Sequence, residues 1–262
     1  MKTPIRVWPF NPASELILYQ KLTSGFTGQI VTLNSLMFYT AYYHPELWNI
    51  ISQAALVLPD SWGICWAIKK LCGVKVQRYP GIDFIDFLCR LARERQWRMF
   101  LLGSEMPIIE LAAKKLKEQY PGLIISGFHH GYFPPEKTED IVREIKNSQS
   151  QILLVGQNIV QQELFIGKNF SQLGVNIAVG VGGSFDVLSG KLSRAPDFLR
   201  KLGLEWLFRF YIQPWRIARI WKLPLFWQLI WRIKLSQKKL LTVAEIDHIY
   251  EPGTTTKNRN NL

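Results

Sequence analysis

The 262-residue chain has three cysteines, four histidines and no run of about 18 uncharged apolar residues. Cys65, Cys72 and Cys89 are odd in number and sit inside apolar segments, which argues against a disulfide framework. His44, His129, His130 and His248 are too scattered for a zinc motif. The N-terminus, MKTPIRVWPFNPASELIL, has no unbroken apolar core of a secretory leader. Neither export nor a membrane-spanning helix is expected. The chain also lacks an Asp-x-Asp pair, a common way to present two carboxylates to a nucleotide-bound metal. With 48% apolar residues it can nonetheless bury a large core.

The charge is distributed unevenly. Residues 191–240 carry 12 Lys and Arg against Asp197 and Glu205, so they supply +10 of the net +12. They also hold five of the ten tryptophans, which marks an anionic partner, lipid headgroups or nucleic acid. From about Gly203 the pattern is aromatic and apolar, punctuated by Arg209, Arg216, Arg219, Lys222, Arg232 and Lys234, with Pro214 and Pro224 dividing it into short helices. Interfacial helices carry this mixture, with Trp and Leu at the acyl boundary and cations at the phosphates. The alternative is a helical hairpin closing over the sheet with its cations solvated. Glu251 to Leu262 is polar and predicts a disordered end.

Short apolar runs at 29–34, 54–60, 98–104, 122–128, 151–157 and 175–183 alternate with amphipathic stretches at 83–95, 107–120, 136–146 and 161–173. The alternation predicts an α/β fold, a Rossmann-like and mostly parallel sheet with helices on both faces. The expected organisation is a catalytic α/β domain over 1–202, a membrane-associating helical appendage over 203–240 and a polar tail over 241–262.

Open parallel sheets bind ligands beyond the carboxyl ends of their strands. Asn34, Asp60, Gly103-Ser104, Gly156-Gln157 and Gly180 to Ser184 fall at such ends. Asp60 is either the N-cap of the following helix or a carboxylate at the rim of an apolar cleft, suited to general-base work; the two roles are compatible. The GVGGSF run has the spacing G-x-G-G on the last strand, not G-x-G-x-x-G on the first, so a nicotinamide-dependent oxidoreductase is disfavoured. Its glycines either permit a tight turn or let a phosphate approach backbone N–H groups. Without a metal, departing diphosphate charge falls to cations such as Arg78 and Arg194 and to helix N-termini.

Eight pieces occur in order from Gln29 to Lys234: VTLN; LPDSWG; Arg78 to Asp83; FLLGS; the Tyr120 to Phe133 block; ILLVG followed by Gln162-Glu163; VGVGGSFDVLSGKLSRAP; and LGLEWLFRFYIQPWRIAR. Together they resemble the WecG/TagA/CpsF glycosyltransferases. The resemblance implies inverting, metal-independent transfer of an N-acetylmannosamine-type sugar, or related hexose, from a UDP donor to an undecaprenyl-diphosphate-linked acceptor, with no cofactor. It casts Asp60 as the base and Thr32, Asn34, Arg78, Gly103, Gln162, Glu163, Gly182 and Gly183 as substrate-binding. Arg194, Arg209, Arg216 and Arg219 would meet the acceptor diphosphate and the membrane. It further implies a cytoplasmic protein, peripheral on the inner face of the membrane, with no nucleic-acid partner.

The pattern departs from the family in places. G-x-G-x-P-K-Q-E stands here as Gly156 to Glu163 without its second glycine, proline and lysine; Gln213 replaces a glutamate and Ser61 a glycine. These changes bear most on the donor sugar. A non-enzymatic module holding nucleic acid or another anionic surface through the basic aromatic segment is the competing function. A homo-oligomer with that segment between subunits is also left open.

Overall fold

The computed structural model describes residues 2–11, 14–196, 199, 208, 211, 212 and 221–244. Six strands form one sheet: β2 (Gly28–Leu33), β3 (Leu56–Pro59), β4 (Arg98–Gly103), β5 (Ile124–His129), β6 (Ile152–Gly156) and β7 (Ile177–Gly180). All pairs are parallel, in the order β3-β2-β7-β6-β4-β5. The six apolar runs of the sequence are these strands. β2, β3, β6 and β7 are buried along their whole length, as parallel strands covered on both faces must be. β5 is half-buried at the sheet edge, and its register slips at Met99/Phe100.

Alternate residues of each strand feed opposite faces. Ile30, Leu58, Met99, Leu101, Ile152, Leu154 and Val179 enter one large cluster. The other face divides, with Val31, Leu33 and Val57 in a second cluster and Phe100, Leu102, Leu153 and Val155 in a third. The covering helices are α1 (Ser14–Thr23), α2 (Ser35–Tyr43), α3 (Pro45–Gln53), α4 (Trp62–Cys72), α5 (Gly81–Arg95), α6 (Met106–Gln119), α7 (Thr138–Asn147), α8 (Ile159–Leu173) and the short α9 (Ser184–Leu188). Their starts follow local chemistry: Asn34, Ser61 and Asn158 side chains accept the N–H three residues on. Gly73 ends α4 at φ 76°, in the left-handed region that glycine adopts without strain.

Two findings extend the sequence reading. β1 (Ile5–Val7) and β8 (Leu241–Val243) pair in parallel, so the segment expected as a polar tail begins with a strand. Three residues are too few to show a period. Helix α10 (Lys222–Leu235), taken from sequence as part of an appendage, buries Phe226, Leu229, Ile230 and Ile233 in the second cluster against α2 and α4. Such burial contributes on the order of 1.5–3 kcal/mol per side chain. Gly63 makes the approach close, since a Cβ there would strike Ser35 and come within 3.2 Å of Phe226. Among the described residues no helix is long and apolar enough to cross a membrane.

Candidate active site at the carboxyl ends of the strands

β4 connects outward to β5, while β6 connects the opposite way to β7, the switch point beside which open parallel sheets bind ligands at the strands' carboxyl ends. Small residues line it. A Cβ at Gly103 would collide with the backbone of Gly156, and one at Gly156 would meet Phe185 and, at 2.9 Å, the Gly182 carbonyl. Gly103, expected from the sequence to touch substrate, is buried and lets β4 and β6 approach closely at their carboxyl ends. Ser104, at φ 56°, donates its N–H to the Gly156 carbonyl at 3.0 Å and accepts that of Gly131 at 2.8 Å. Gln157 Nε2 donates to the Gly131 carbonyl at 2.7 Å, joining the β5 and β6 ends.

At the β2 and β3 ends, Asp60 follows Pro59, and its backbone N–H donates to Leu33 at 2.9 Å. Its carboxylate Oδ1 accepts the N–H of Gly81, the first residue of α5, at 2.8 Å. The N-cap role considered for Asp60 on α4 belongs instead to Ser61, whose Oγ accepts from Ile64. Asp60 serves α5, where Pro80 offers no side-chain acceptor. The Tyr79 N–H donates to the Pro59 carbonyl at 2.7 Å, which brings the backbone of Arg78 alongside that of Asp60. Thr32 Oγ1 reaches the Gly180 carbonyl at 3.4 Å, and a Cβ on Gly81 would lie 3.3 Å from the same oxygen. Asn34 caps α2 through its Oδ1 on Met37 N–H at 2.9 Å.

The third part is buried. Gln162 Oε1 accepts the Gly182 N–H at 2.8 Å while its Nε2 donates to Glu163 Oε1 at 2.8 Å. Glu163 Oε2 accepts from Gln29 Nε2 at 2.6 Å. Glu163 has 0% exposure, so its expected contact with substrate is corrected: the carboxylate lies behind the strand ends and touches only the protein. A Cβ on Gly180 would strike both Glu163 and Gln162, whereas the corresponding space at Gly182, at φ 53°, is open. Of the GVGGSF glycines, Gly180 thus serves packing and Gly182 leaves room beside an exposed turn. Gly183 precedes α9.

Arg194 pairs closely with Asp83 in the first turn of α5, two residues beyond Gly81. Arg209, Arg216 and Arg219 lie outside the described residues. The structure therefore brings Asp60, Thr32, Arg78, Gln162, Gly180 and Gly182 to adjoining strand ends, with Arg194, beyond α9, paired to Asp83 of the neighbouring helix α5. Sequence reasoning passed over Gln29 and Gly81. Gln29 had a signal, an amide at the head of an otherwise apolar strand, which must find a buried partner. Among the described residues no three His, Cys, Asp or Glu side chains cluster as a metal site.

The sequence model of the Glycosyl transferase WecG/TagA/CpsF family matches residues 1–240. An N-acetylglucosaminyldiphosphoundecaprenol N-acetyl-beta-D-mannosaminyltransferase of Staphylococcus aureus (strain NCTC 8325 / PS 47) is 31% identical over 236 residues, covering 88% of this chain and 92% of the relative. A protein of the same name from strain MRSA252 is 30% identical over the same shares.

Proposed function

The chain belongs to the WecG/TagA/CpsF family of glycosyltransferases, and we propose that it moves an N-acetylmannosamine-type sugar, or a related hexose, from a UDP donor to an undecaprenyl-diphosphate-linked sugar in cell-surface polysaccharide synthesis. Family membership favours the transferase over the non-enzymatic binding module. The observation that carries the reading is the Asp60 carboxylate, fixed on the Gly81 N–H at the strand end where the Arg78–Tyr79 segment joins Pro59. Asp60 takes the acceptor hydroxyl proton as that oxygen attacks the anomeric carbon from the side opposite the diphosphate. The bond from that carbon to the diphosphate oxygen breaks, UDP leaves with the electron pair, and the configuration inverts. Arg78 and Arg194 are suited to the diphosphate charge, the Gly180–Gly183 turn leaves room for it beside Gly182, and no step calls on a metal.

The membrane half of the reading rests on a two-helix surface. Trp66 of α4 meets Trp227 of α10 edge-on at 4.2 Å, and Lys70 lies over the Trp231 ring at 3.8 Å. Trp62, Trp227 and Trp231 are 52%, 39% and 49% exposed. Neither helix contains an acidic residue, while Lys69, Lys222, Arg232 and Lys234 are exposed on them. Aromatic rings ringed by cations suit the interface of an anionic leaflet, here the inner face of the cytoplasmic membrane. α4 begins two residues after Asp60, so the base lies at the N-terminal end of this face. Arg209, Arg216 and Arg219 extend the same basic segment in sequence.

The test is UDP release from a panel of UDP-hexoses with a short-chain lipid-diphosphate N-acetylglucosamine acceptor, and NMR of the product anomer. The expected result is release with one UDP-hexosamine and a β-linked product from an α-linked donor. Release that does not depend on the lipid acceptor, or a retained configuration, overturns the reading.

A further inference from the structure

The hydrogen bonds around Glu163 have a fixed direction. The Gly182 N–H is a donor only, so the Gln162 amide must turn its oxygen toward Gly182 and its NH2 toward Glu163. On the other side, Gln29 Nε2 is within 2.6 Å of Glu163 Oε2 and 3.4 Å of the Glu163 carbonyl. Flipping that amide would set oxygen against oxygen. In this pairing both partners present donors to the carboxyl group, the arrangement a carboxylate satisfies; a carboxylic acid would require one of the two amides to turn over.

We propose that Glu163 is a positioning residue of the donor site: its buried carboxylate orients the Gln162 amide, which holds the Gly182 N–H and so sets the Gly180–Gly183 turn against the donor. This rests on the donor lying at that turn, as proposed above. Gly180 belongs to the device, because only a residue without a Cβ leaves space for the Gln162–Glu163 pair behind the strand end.

The same group titrates where cells live. Burial raises the Glu163 carboxyl from 4.5 to about 7, and hydrogen bonds from Gln162 and Gln29 oppose the rise. Strands β2, β6 and β7 bring no ionisable residue to it. The charges on the packed helices face outward: Glu46 of α3 pairs with Lys168 at 2.8 Å, and Glu139, Asp140, Arg143, Glu144 and Lys146 of α7 are exposed. Protonation sets a hydroxyl or an unpaired oxygen against an NH2 group, loosening Gln162 and the turn.

The experiment follows the Gly182 N–H by NMR in full-length protein carrying 15N-glycine, its resonance assigned by loss in Gly182→Ala. In wild type it should shift with a midpoint near neutral pH; in Glu163→Gln it should sit displaced and stay still. Donor KM in Glu163→Gln should rise about 3- to 10-fold at pH near 8 with kcat little changed, the size of one lost hydrogen bond, and wild type should approach it as pH falls to about 6. Gln29→Leu removes one donor and should move the wild-type midpoint upward, which keeps the test decisive if Glu163→Gln does not fold. An unmoved Gly182 resonance, an unmoved midpoint in Gln29→Leu, or a folded Glu163→Gln with wild-type KM and pH profile overturns the inference. Absence of sugar transfer with every donor would count against the proposed function alone, since the resonance still reports on Glu163.

Discussion

Asp60 Oδ1 accepts the backbone N–H of Gly81 at 2.8 Å, tying the end of β3 to the start of α5 across 21 positions of sequence. The bond holds the carboxylate in place and satisfies an N–H that the helix itself cannot pair. Position and chemistry are thereby separable. Asp60→Asn keeps an oxygen for Gly81 but has no basic site, so turnover should fall about 100-fold or more while the melting temperature changes little. Asp60→Ala should lose both. Near wild-type turnover in Asp60→Asn would reduce the residue to a cap for α5.

Activity should survive chelation. Diphosphate charge is assigned to Arg78 and Arg194, so EDTA should leave UDP release unchanged and added Mg²⁺ or Mn²⁺ should not raise it. A loss restored by either ion refutes this.

Trp62→Ser with Trp231→Ser should release the protein from vesicles rich in anionic lipid with only a small fall in melting temperature, because both residues are about half exposed and neither belongs to a core cluster. Turnover on a long-chain acceptor should drop more than on a water-soluble one. Reversing Arg209, Arg216 and Arg219 to Glu should act in the same direction, at about 1 kcal/mol per charge near the surface. Unchanged flotation of both variants would make the α4–α10 face a structural cover.

Gly180→Ala should destabilise the fold by about 1–3 kcal/mol, the usual penalty of overpacking, because its methyl group would strike the Gln162–Glu163 pair. Gly182→Ala meets no neighbour and carries only the cost of a side chain at φ 53°, about 1 kcal/mol, so it should be milder. Urea midpoints of the two variants check the ordering.

Glu163 also leaves a mark on stability. Its folded carboxyl value is about 7 against 4.5 in the ordinary state, so the folded chain binds more protons between those values than the unfolded one. Stability is thus highest below pH 4.5 for this group and is lost as pH rises through about 7, by at most about 1.4 kcal/mol per pH unit. Glu163→Gln removes that slope. Urea midpoints at pH near 5.5 and near 8 should differ less in the variant than in wild type.

The six strands and their parallel pairing were legible because buried parallel strands are unbroken apolar runs, and nothing in QIVTL, LVLP or ILLVG competes with that reading. The strand-end position of Asp60 and the glycines followed from the same pattern. What the strand ends do to one another was not legible. Whether Asp60 caps α4 or α5 depends on where Gly81 arrives after a 21-residue excursion. Whether Glu163 faces substrate or core depends on β2 lying beside β7, which sets Gln29 against α8. Likewise the Lys222–Leu235 pattern fixed an amphipathic helix, but only the cleft between α2 and α4 decided which face became core and which kept its tryptophans outside. Periodicity is local and was available to the sequence alone; the partners of a polar atom are chosen by strand order, which only the folded chain determines.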